Sequence, residues 1–269
     1  MATASDELVY GYRFSSLIQQ DRIRFAAAVN APATVVHGIF FDGHLAYPRE
    51  TATMLLALSH IVRTHFFDAR PPQMDPIVTT SRTLMRWEGF SGCCGAYARL
   101  DLDENALRTA VRGSGTTNVD FNAEMLSHLS SIGRQDEVGM SVSTDAVEVR
   151  RNAQSLTEKR VALPKRWLKG LCEVQVYQSR LKLCQRFTPA MIVPLMQNAS
   201  RGTDGVQYLT TAGNRPRLAL RQSSKAVAIG GASRLSALRT LLPLAREVSL
   251  YADEESGVHA WVAETPWAR

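Results

Sequence analysis

Residues 77–102 constrain the fold more than any other part of the chain. The runs I-V-T-T-S, L-M-R-W-E-G-F and A-Y-A-R-L-D-L are rich in β-branched and aromatic residues, and a segment of small residues separates the last two runs. Strands joined by a short turn fit this pattern, whereas a helix does not. We therefore expect a β-hairpin here, with Cys93 and Cys94 near its centre.

Other strand patterns occur along the chain. Asp42-Gly43 separates two apolar runs and is a hairpin signal, because both residues tolerate positive φ; the alternative is a loop that ends a strand. Residues 140–151 alternate around 143–146 and predict a second hairpin. Further strands are predicted at residues 8–14, 206–212, 217–221, 226–230, 248–251 and 258–262.

Helical periodicity separates these strands. Pro48 suits a first helical position, and an apolar stripe through Leu55, Leu58 and Val62 follows it. Asn122 is a predicted N-cap. Other helices are predicted at residues 20–30, 165–181, 189–197 and 235–242. We therefore expect an α+β fold with antiparallel hairpin sheets and packed helices, in one large domain or two lobes.

The composition indicates a globular chain. Of its 269 residues, 45% are hydrophobic and 21% are charged. It has no apolar run long enough to cross a bilayer, and its first residues lack the pattern of a secretory signal. Four cysteines do not make a disulfide framework in a chain of this length. We therefore expect a cytoplasmic protein.

The charge is distributed unevenly. Residues 1–149 carry 12 Lys+Arg and 17 Asp+Glu, residues 150–239 carry 17 and 3, and the last 30 residues carry 2 and 5. We therefore expect an acidic N-terminal lobe, residues 1–150, and a basic-to-acidic C-terminal lobe, residues 151–269. A basic segment between acidic ends favours a polyanion site or an acidic protein partner, although the two lobes could also attract each other.

The basic segment supplies the candidate binding residues. They are Arg150, Arg151, Lys159, Arg160, Lys165, Arg166, Lys169, Arg215, Arg217 and Arg221. Cations at the start of the helix predicted after Pro164 oppose its macrodipole, which a nearby phosphate or acidic surface would relieve. A solvated helix face remains the alternative.

No motif indicates catalysis. Cys93 and Cys94 would need a distant base such as His37 or His44, and close-packed structural cysteines are the simpler interpretation. His60 and His65 lie five residues apart, which does not place two metal ligands on one helix face. The loop at residues 113–122 lacks both nucleotide-binding glycine fingerprints. We expect no catalytic residue, no metal site and no cofactor.

Four segments resemble the bacterial SWIM zinc-finger protein family. They are G-I-F-F-D-G-H-L-A-Y-P-R (38–49), W-E-G-F-S-G-C-C-G-A-Y-A-R-L-D (87–101), G-T-T-N-V-D-F-N (115–122) and V-A-L-P-K-R-W-L-K-G-L-C-E-V-Q (161–175). The similarity is to the region that accompanies the zinc finger. The finger itself, with its C-x-C and C-x-H ligands, is absent, so no zinc ligands carry over.

The resemblance implies a recognition protein. The residues that carry it are Trp87, Phe90, Cys93, Cys94, Tyr97, Arg99, Asn118, Asp120, Asn122 and Trp167. Family members accompany MoxR-type AAA+ ATPases and von Willebrand factor A proteins. The resemblance therefore implies a non-enzymatic scaffold with such partners, in stress response or antiviral defence. The alternatives are a nucleic-acid-binding protein that uses residues 150–239 and, third, a cysteine-dependent enzyme.

Overall fold

The structure is a computed structural model. It describes residues 11–12, 17–19, 22–24, 28–29, 38–63, 76–161, 163, 165–199, 206–212, 215–223, 226–230 and 235–269. The predicted helix start at Pro164, the candidate base His37 and the side chain of Lys165 lie outside the described part.

Helices and strands alternate along the described chain. The helices are α1 (Pro48–Arg63), α2 (Ala123–Ser130), α3 (Lys165–Arg180), α4 (Pro189–Ala199) and α5 (Ser236–Arg239). The strands of the first part are β1 (Gly11–Tyr12), β2 (Leu17–Gln19), β3 (Arg22–Arg24), β4 (Ala28–Val29), β5 (Ile39–Leu45), β6 (Ile77–Thr80), β7 (Leu84–Phe90), β8 (Tyr97–Asp103), β9 (Leu107–Arg112) and β10 (Gly115–Asn118). Those that follow are β11 (Val138–Ser143), β12 (Ala146–Arg151), β13 (Gln154–Lys159), β14 (Lys182–Phe187), β15 (Gln207–Ala212), β16 (Arg215–Ala219), β17 (Val227–Ile229), β18 (Glu247–Ala252) and β19 (His259–Glu264).

The described strands pair only in antiparallel fashion. The larger sheets have the orders β10-β6-β7-β8, β13-β12-β11-β5-β9, β14-β18-β19 and β16-β15-β17. The predicted α+β class with hairpin-built sheets is therefore confirmed. The hairpin over residues 84–103 is confirmed with Trp87 opposite Leu100, and the hairpin over residues 138–151 is confirmed as well.

The first of two hydrophobic cores lies between the first two of these sheets and helices α1 and α2. Trp87 is fully buried and its ring centroid lies 5.5 Å from that of Phe121. The predicted apolar stripe of α1 is confirmed, since Leu55, Leu58 and Val62 are all buried. Burying one such side chain stabilises the fold by about 1.5–3 kcal/mol, which explains why this helix forms.

The second core lies between the last two sheets and helices α4 and α5. Ile192 of α4, Ile229 of β17 and Val248 of β18 are fully buried in it. Within the described residues, the core also holds Leu235 and Leu242, which flank the short helix α5. The predicted helix over residues 235–242 therefore exists, but its regular part is only four residues long.

The last residues of the chain join the second core to the first. Ala268 forms a bridge with Leu102, and the backbones of Asp101 and Arg269 exchange two hydrogen bonds of 2.7 and 3.1 Å. The Trp267 ring stacks on Tyr47 with a centroid distance of 4.5 Å. The segment after β19 thus extends the sheet of β8, so the two cores are connected at an edge as well as along the chain.

Four helices form one layer. α2 contacts α1, α1 contacts α5, and α5 contacts α4. α1 also packs on β7 and β8, with Val62 against Gly89. The layer therefore crosses from the first core to the second.

Helix α3 lies outside this layer. Gly170 packs against the ring of Phe90, the residue after Gly89 on β7. The Trp167 ring of α3 also lies beside Gly89, so α1 and α3 both reach this end of β7. The Trp167 indole lies at the strand end and contacts Phe90 edge-on at 5.6 Å.

Two predictions are wrong. The predicted helix over residues 20–30 contains strands β3 and β4 in its described parts. Asp42-Gly43 is not a hairpin turn but lies inside β5, between β9 and β11. The pairing of β5 with β9 shifts between these two residues, so the dipeptide marks a β-bulge, the other common use of glycine within a strand.

Asp101 offers a test of the connection between the cores. We expect Asp101→Ala to destabilise the protein by about 3 kcal/mol, because it leaves Arg86, Arg99 and Arg269 around a vacated buried site. Urea unfolding followed by tryptophan fluorescence measures this change. Asp145→Ala removes an exposed carboxylate and serves as the control. Equal midpoints for the two variants would contradict the proposed importance of Asp101.

Candidate nucleic-acid interface

Helix α1 presents cations on the side away from the sheets. Arg49, His60 and Arg63 are exposed, while the stripe of Leu55, Leu58 and Val62 is buried. His60 and Arg63 follow Arg49 by 11 and 14 residues, which is close to whole numbers of turns at 3.6 residues each. The three side chains therefore share the outer face of α1.

The neighbouring helix carries a further exposed cation. Arg239 is exposed in the last turn of α5, which contacts α1. Glu124 in the first turn of α2 is exposed as well and places one acid at the opposite end of the layer. We call Arg49, Arg63 and Arg239 the helix-layer cations.

Two of the predicted binding residues are engaged in ion pairs. The Arg150 guanidinium donates to Asp42 and lies 3.7 Å from Glu148. The Nε atom of Arg151 donates to Asp136 Oδ2 at 2.6 Å. These pairs lie on the sheet of β5, β11 and β12 and hold its strands together. Because carboxylates already neutralise them, Arg150 and Arg151 are poor phosphate ligands.

The other predicted binding residues do not form one surface. Lys169 of α3 lies 3.6 Å from Glu173, one turn further along the helix, and Arg166 lies near Cys94. Lys159 and Arg160 are exposed at the end of β13. Arg215 and Arg217 are exposed on β16 and Arg221 is exposed just after it. This strand belongs to a sheet that packs on the second core. The basic segment is therefore divided among three separate regions.

Most residues of the proposed family motifs have structural roles. Trp87, Phe90 and Trp167 are buried in the first core. The Asn118 side chain donates to the carbonyl of Val161 at 2.7 Å. The Asn122 Oδ1 atom accepts from the backbone N–H of Met125 at 3.0 Å, which confirms the predicted N-cap.

A polar ladder crosses the face of β7 and β8 that is turned away from α1. The Arg86 guanidinium makes two hydrogen bonds to Asp101, of 2.8 and 3.0 Å, and Arg99 makes a third of 2.7 Å. The Tyr97 hydroxyl donates to Glu88 at 2.6 Å. Burial together with the nearby Glu88 charge raises the pKa of Tyr97 far above its usual value. Tyr97 therefore serves as a donor and not as a base.

Cys93 and Cys94 lie in the tight turn between β7 and β8. Cys94 has a positive φ of 57°, and its N–H donates to the carbonyl of Ser91. Cys93 Sγ lies 3.4 Å from Ser91 Oγ. Burial raises the pKa of the Cys94 thiol, and the Arg166 charge offsets this only partly. Because the thiolate is the reactive form, this environment does not activate Cys94.

Carboxylates accumulate where α2 meets β13. Asn122 donates to Glu158 Oε1 at 2.6 Å, and Glu158 is only 9% exposed. Burial raises the pKa of Glu158, and the charges of Asp120 and Glu124 raise it further. Burial raises the pKa of Asp120 as well, although Arg63 opposes this. The cluster ties α2 to β13 at an electrostatic cost.

Among the described residues, no group of three or more His, Cys, Asp or Glu side chains could hold a metal ion. His44, a candidate base for the cysteines, lies 3.6 Å from Glu137 instead. The described helices include none that is long and apolar enough to cross a membrane.

A cavity of about 480 Å³ lies between the two cores. Met54 and Leu58 of α1, Leu238 of α5 with the nearby Leu241, and Trp261 of β19 contribute its apolar wall. Residues of β8 and β19 line it as well.

Neither a protein-family model nor a curated protein sequence matches the chain. Solved structures do. A chain in the PCNA2–PCNA3 complex from Sulfolobus tokodaii matches with a TM-score of 0.61 and 7% identity, over 84% of this chain and 96% of that chain. Proliferating cellular nuclear antigen (PCNA) from Entamoeba histolytica matches with a TM-score of 0.51 and 12% identity, over 79% and 89%. The chain has the PCNA fold.

This fold overturns the resemblance to the SWIM family. The PCNA fold covers most of the chain, and no family model supports the zinc-finger relationship. The expected scaffold role beside MoxR-type ATPases and von Willebrand factor A proteins depended on that resemblance and is wrong with it. The segments that suggested the family are mainly core and turn residues of one hairpin, one capped helix and α3.

Sequence reasoning missed Arg49, Arg63 and Arg239. They lie outside the clusters of basic residues, and charge counting therefore passed over them. The periodicity of α1 contained the necessary information, because it places Arg49 and Arg63 opposite the apolar stripe. The contact between α1 and α5 that brings Arg239 to the same layer is a tertiary feature without a local pattern.

Glu158 provides a test of the carboxylate cluster. A carboxyl group whose pKa is raised by folding stabilises the fold as pH falls towards that pKa and destabilises it above that pKa. Glu158→Gln keeps an acceptor for Asn122 and removes the charge. At pH 8 we expect it to raise the Tm by about 2–4 °C, the shift that 1 kcal/mol gives in a protein of this size.

The gain should shrink as the pH is lowered, because a growing fraction of the wild-type side chain is then protonated. Differential scanning calorimetry across pH measures both effects. The control is Glu255→Gln at an exposed site. A lower Tm for Glu158→Gln at pH 8 would show that the charge is stabilising.

The thiols can be compared directly. At pH 7.5 we expect Cys94 to react with iodoacetamide at least about fivefold more slowly than the exposed Cys172, because less of it is thiolate. Peptide mass spectrometry after timed quenching gives both rates in one sample. Faster labelling of Cys94 would revive the hypothesis of a cysteine-dependent enzyme.

Proposed function

We propose that the protein is a non-enzymatic clamp subunit that associates with DNA and with protein partners. The observation that carries this proposal is the PCNA fold, matched over 84% of this chain and 96% of the Sulfolobus chain. The two hydrophobic cores would form two lobes of the clamp. The lobe boundary predicted near residue 150 stays a prediction.

The helix layer is the proposed DNA-facing surface. It runs across both cores, so it offers a continuous surface to a rod-like polyanion. Its arginines are exposed, whereas Arg150 and Arg151 are held by carboxylates. Arginine contacts to phosphates bind DNA without reading its sequence, which suits a protein that must stay associated along a duplex.

Assembly with a second clamp subunit forms part of the proposal. The Sulfolobus structure is a complex of two PCNA proteins. In this chain β13 ends its sheet and, among the described strands, pairs with β12 alone. Its other edge therefore carries backbone groups that can pair with a strand of another subunit.

Charge reversal tests the DNA-facing surface. We expect Arg49→Glu, Arg63→Glu and Arg239→Glu together to abolish binding to a fluorescent 40-base-pair duplex at 50 mM salt. In a milder triple alanine variant that loses three phosphate contacts, the magnitude of the slope of log K against log salt concentration should decrease by about 2–3. Fluorescence anisotropy across a salt series measures both changes.

The matched control reverses the same number of exposed cations elsewhere. Lys169, Arg180 and Lys182 lie on α3 and β14, outside the helix layer. Their triple glutamate variant should retain most DNA binding. If instead this variant loses binding and the helix-layer variant keeps it, the DNA-facing surface is α3.

A topological assay tests the clamp itself. A closed clamp should stay on a nicked circular plasmid through gel filtration at 200 mM salt and should leave after a restriction enzyme linearises the plasmid. Equal retention on circular and linear DNA would support a simple DNA-binding protein instead. The assay uses the protein with its assembly partners, or the protein alone if it self-assembles.

A further inference from the structure

The part of the chain between the middle of α3 and the start of β18 has almost no acidic residues. Residues 174–246 contain eleven Lys+Arg and a single acidic residue, Asp204. Cations here therefore have few carboxylates in their own segment with which to pair. The helix-layer cations include only one of these eleven, Arg239. Arg186 pairs with Glu247 at 3.3 Å, so only part of the remaining positive charge is left for another anionic ligand.

Part of this charge borders a groove between α4 and β16. The groove has a volume of about 630 Å³. It is lined by Ala190, Met191, Pro194, Leu195, Pro216 and Leu218, together with Arg215 and Arg217. We call it the α4–β16 groove.

The floor and the rim of the groove differ in polarity. Leu195 is buried, and Met191 and Leu218 are partly buried against the second core. Arg215 and Arg217 are both exposed and flank Pro216 where β16 borders the groove. An apolar floor beside two arginines suits a ligand that combines an apolar side chain with carboxylates.

Two prolines define how a ligand can be held. Pro194 inside α4 has no N–H, so the carbonyl of Ala190 lacks its usual helical partner and can accept a hydrogen bond. Pro216 removes an N–H from β16, which disfavours pairing of an added strand along this edge. The first turn of α4 lies at the groove, and its dipole adds to the attraction for negative charge.

We propose that the α4–β16 groove binds an acidic peptide segment of a partner protein, with one or two apolar side chains in the groove and carboxylates on Arg215 and Arg217. Nucleic acid is a poorer fit. The groove residues include no aromatic side chain on which a base could stack, and a phosphate backbone leaves an apolar floor unfilled. This binding goes beyond the proposed clamp function and does not depend on it.

Affinity selection tests the proposal with defined probes. The probe is a library of ten-residue peptides with Asp or Glu at six positions and Leu, Ile, Met or Phe at two central positions. Immobilised wild-type protein and an Arg215→Ala/Arg217→Ala variant are incubated with the library at about 1 mM total peptide. Mass spectrometry identifies the retained peptides, and anisotropy gives the Kd of the best one.

We expect retained peptides to bind wild type at least about tenfold more tightly than the double variant, since two charge-assisted contacts are lost. Arg180→Ala/Lys182→Ala removes two exposed cations elsewhere and should bind like wild type. Replacing the apolar pair by glycine, or the acids by their amides, should weaken binding by a similar factor.

Three outcomes would overturn the proposal. The first is that wild type retains no peptide better than the double variant does. The second is that the glycine-substituted peptide binds equally well, which would mean charge attraction alone. The third is that the double variant loses duplex DNA binding as fully as the helix-layer variant does, which would assign Arg215 and Arg217 to DNA. Retention of the protein on circular plasmid DNA tests the clamp function separately.

Discussion

The attachment of the chain's last residues to β8 is the interaction on which the arrangement of the two cores depends. Asp101 stands at its centre: its side chain is 4% exposed and accepts from Arg86 and Arg99, and its backbone exchanges hydrogen bonds with Arg269. A buried carboxylate is costly unless it is fully paired, and here two arginines satisfy both oxygens. The pairing holds the segment that follows β19 against the edge of β8, where Ala268 forms a bridge with Leu102.

Charge pairing also explains why a count of basic residues does not point to the proposed DNA-facing helix layer. Arg150 and Arg151 lie in the basic segment, yet Arg150 pairs with Asp42 of β5 and Arg151 with Asp136 in the turn before β11. Arg49 and Arg63 lie in an acidic half of the sequence, yet both are exposed on one helix face. The net charge of a segment counts its cations without regard to their ion pairs, whereas binding depends on which cations remain exposed and adjacent after folding. Only tertiary contacts decide that.

Local pattern was enough for much of the secondary structure. The hairpins at residues 84–103 and 138–151, the helix from Pro48 and the cap at Asn122 each depend on interactions within a few residues or on one apolar face. Asp42-Gly43 shows the limit. Its dihedral freedom serves a hairpin turn or a bulge equally well, and the presence of strands β9 and β11 on both sides decides for the bulge. Those strands follow it by more than 60 residues, so no local pattern contains the answer.

The mistaken family resemblance has a related cause. Trp87, Phe90 and Trp167 suggested a recognition motif, but they are packed together in the first core, where any chain must place large apolar residues. The PCNA fold shows the opposite case: the folds agree over most of this chain, although the sequences are only 7% identical. A core requires apolar side chains of suitable volume at suitable positions and tolerates many identities there. Fold similarity can therefore persist when sequence similarity has vanished, and the helix-layer cations must be compared between such proteins by position on the layer, not by alignment of residue types.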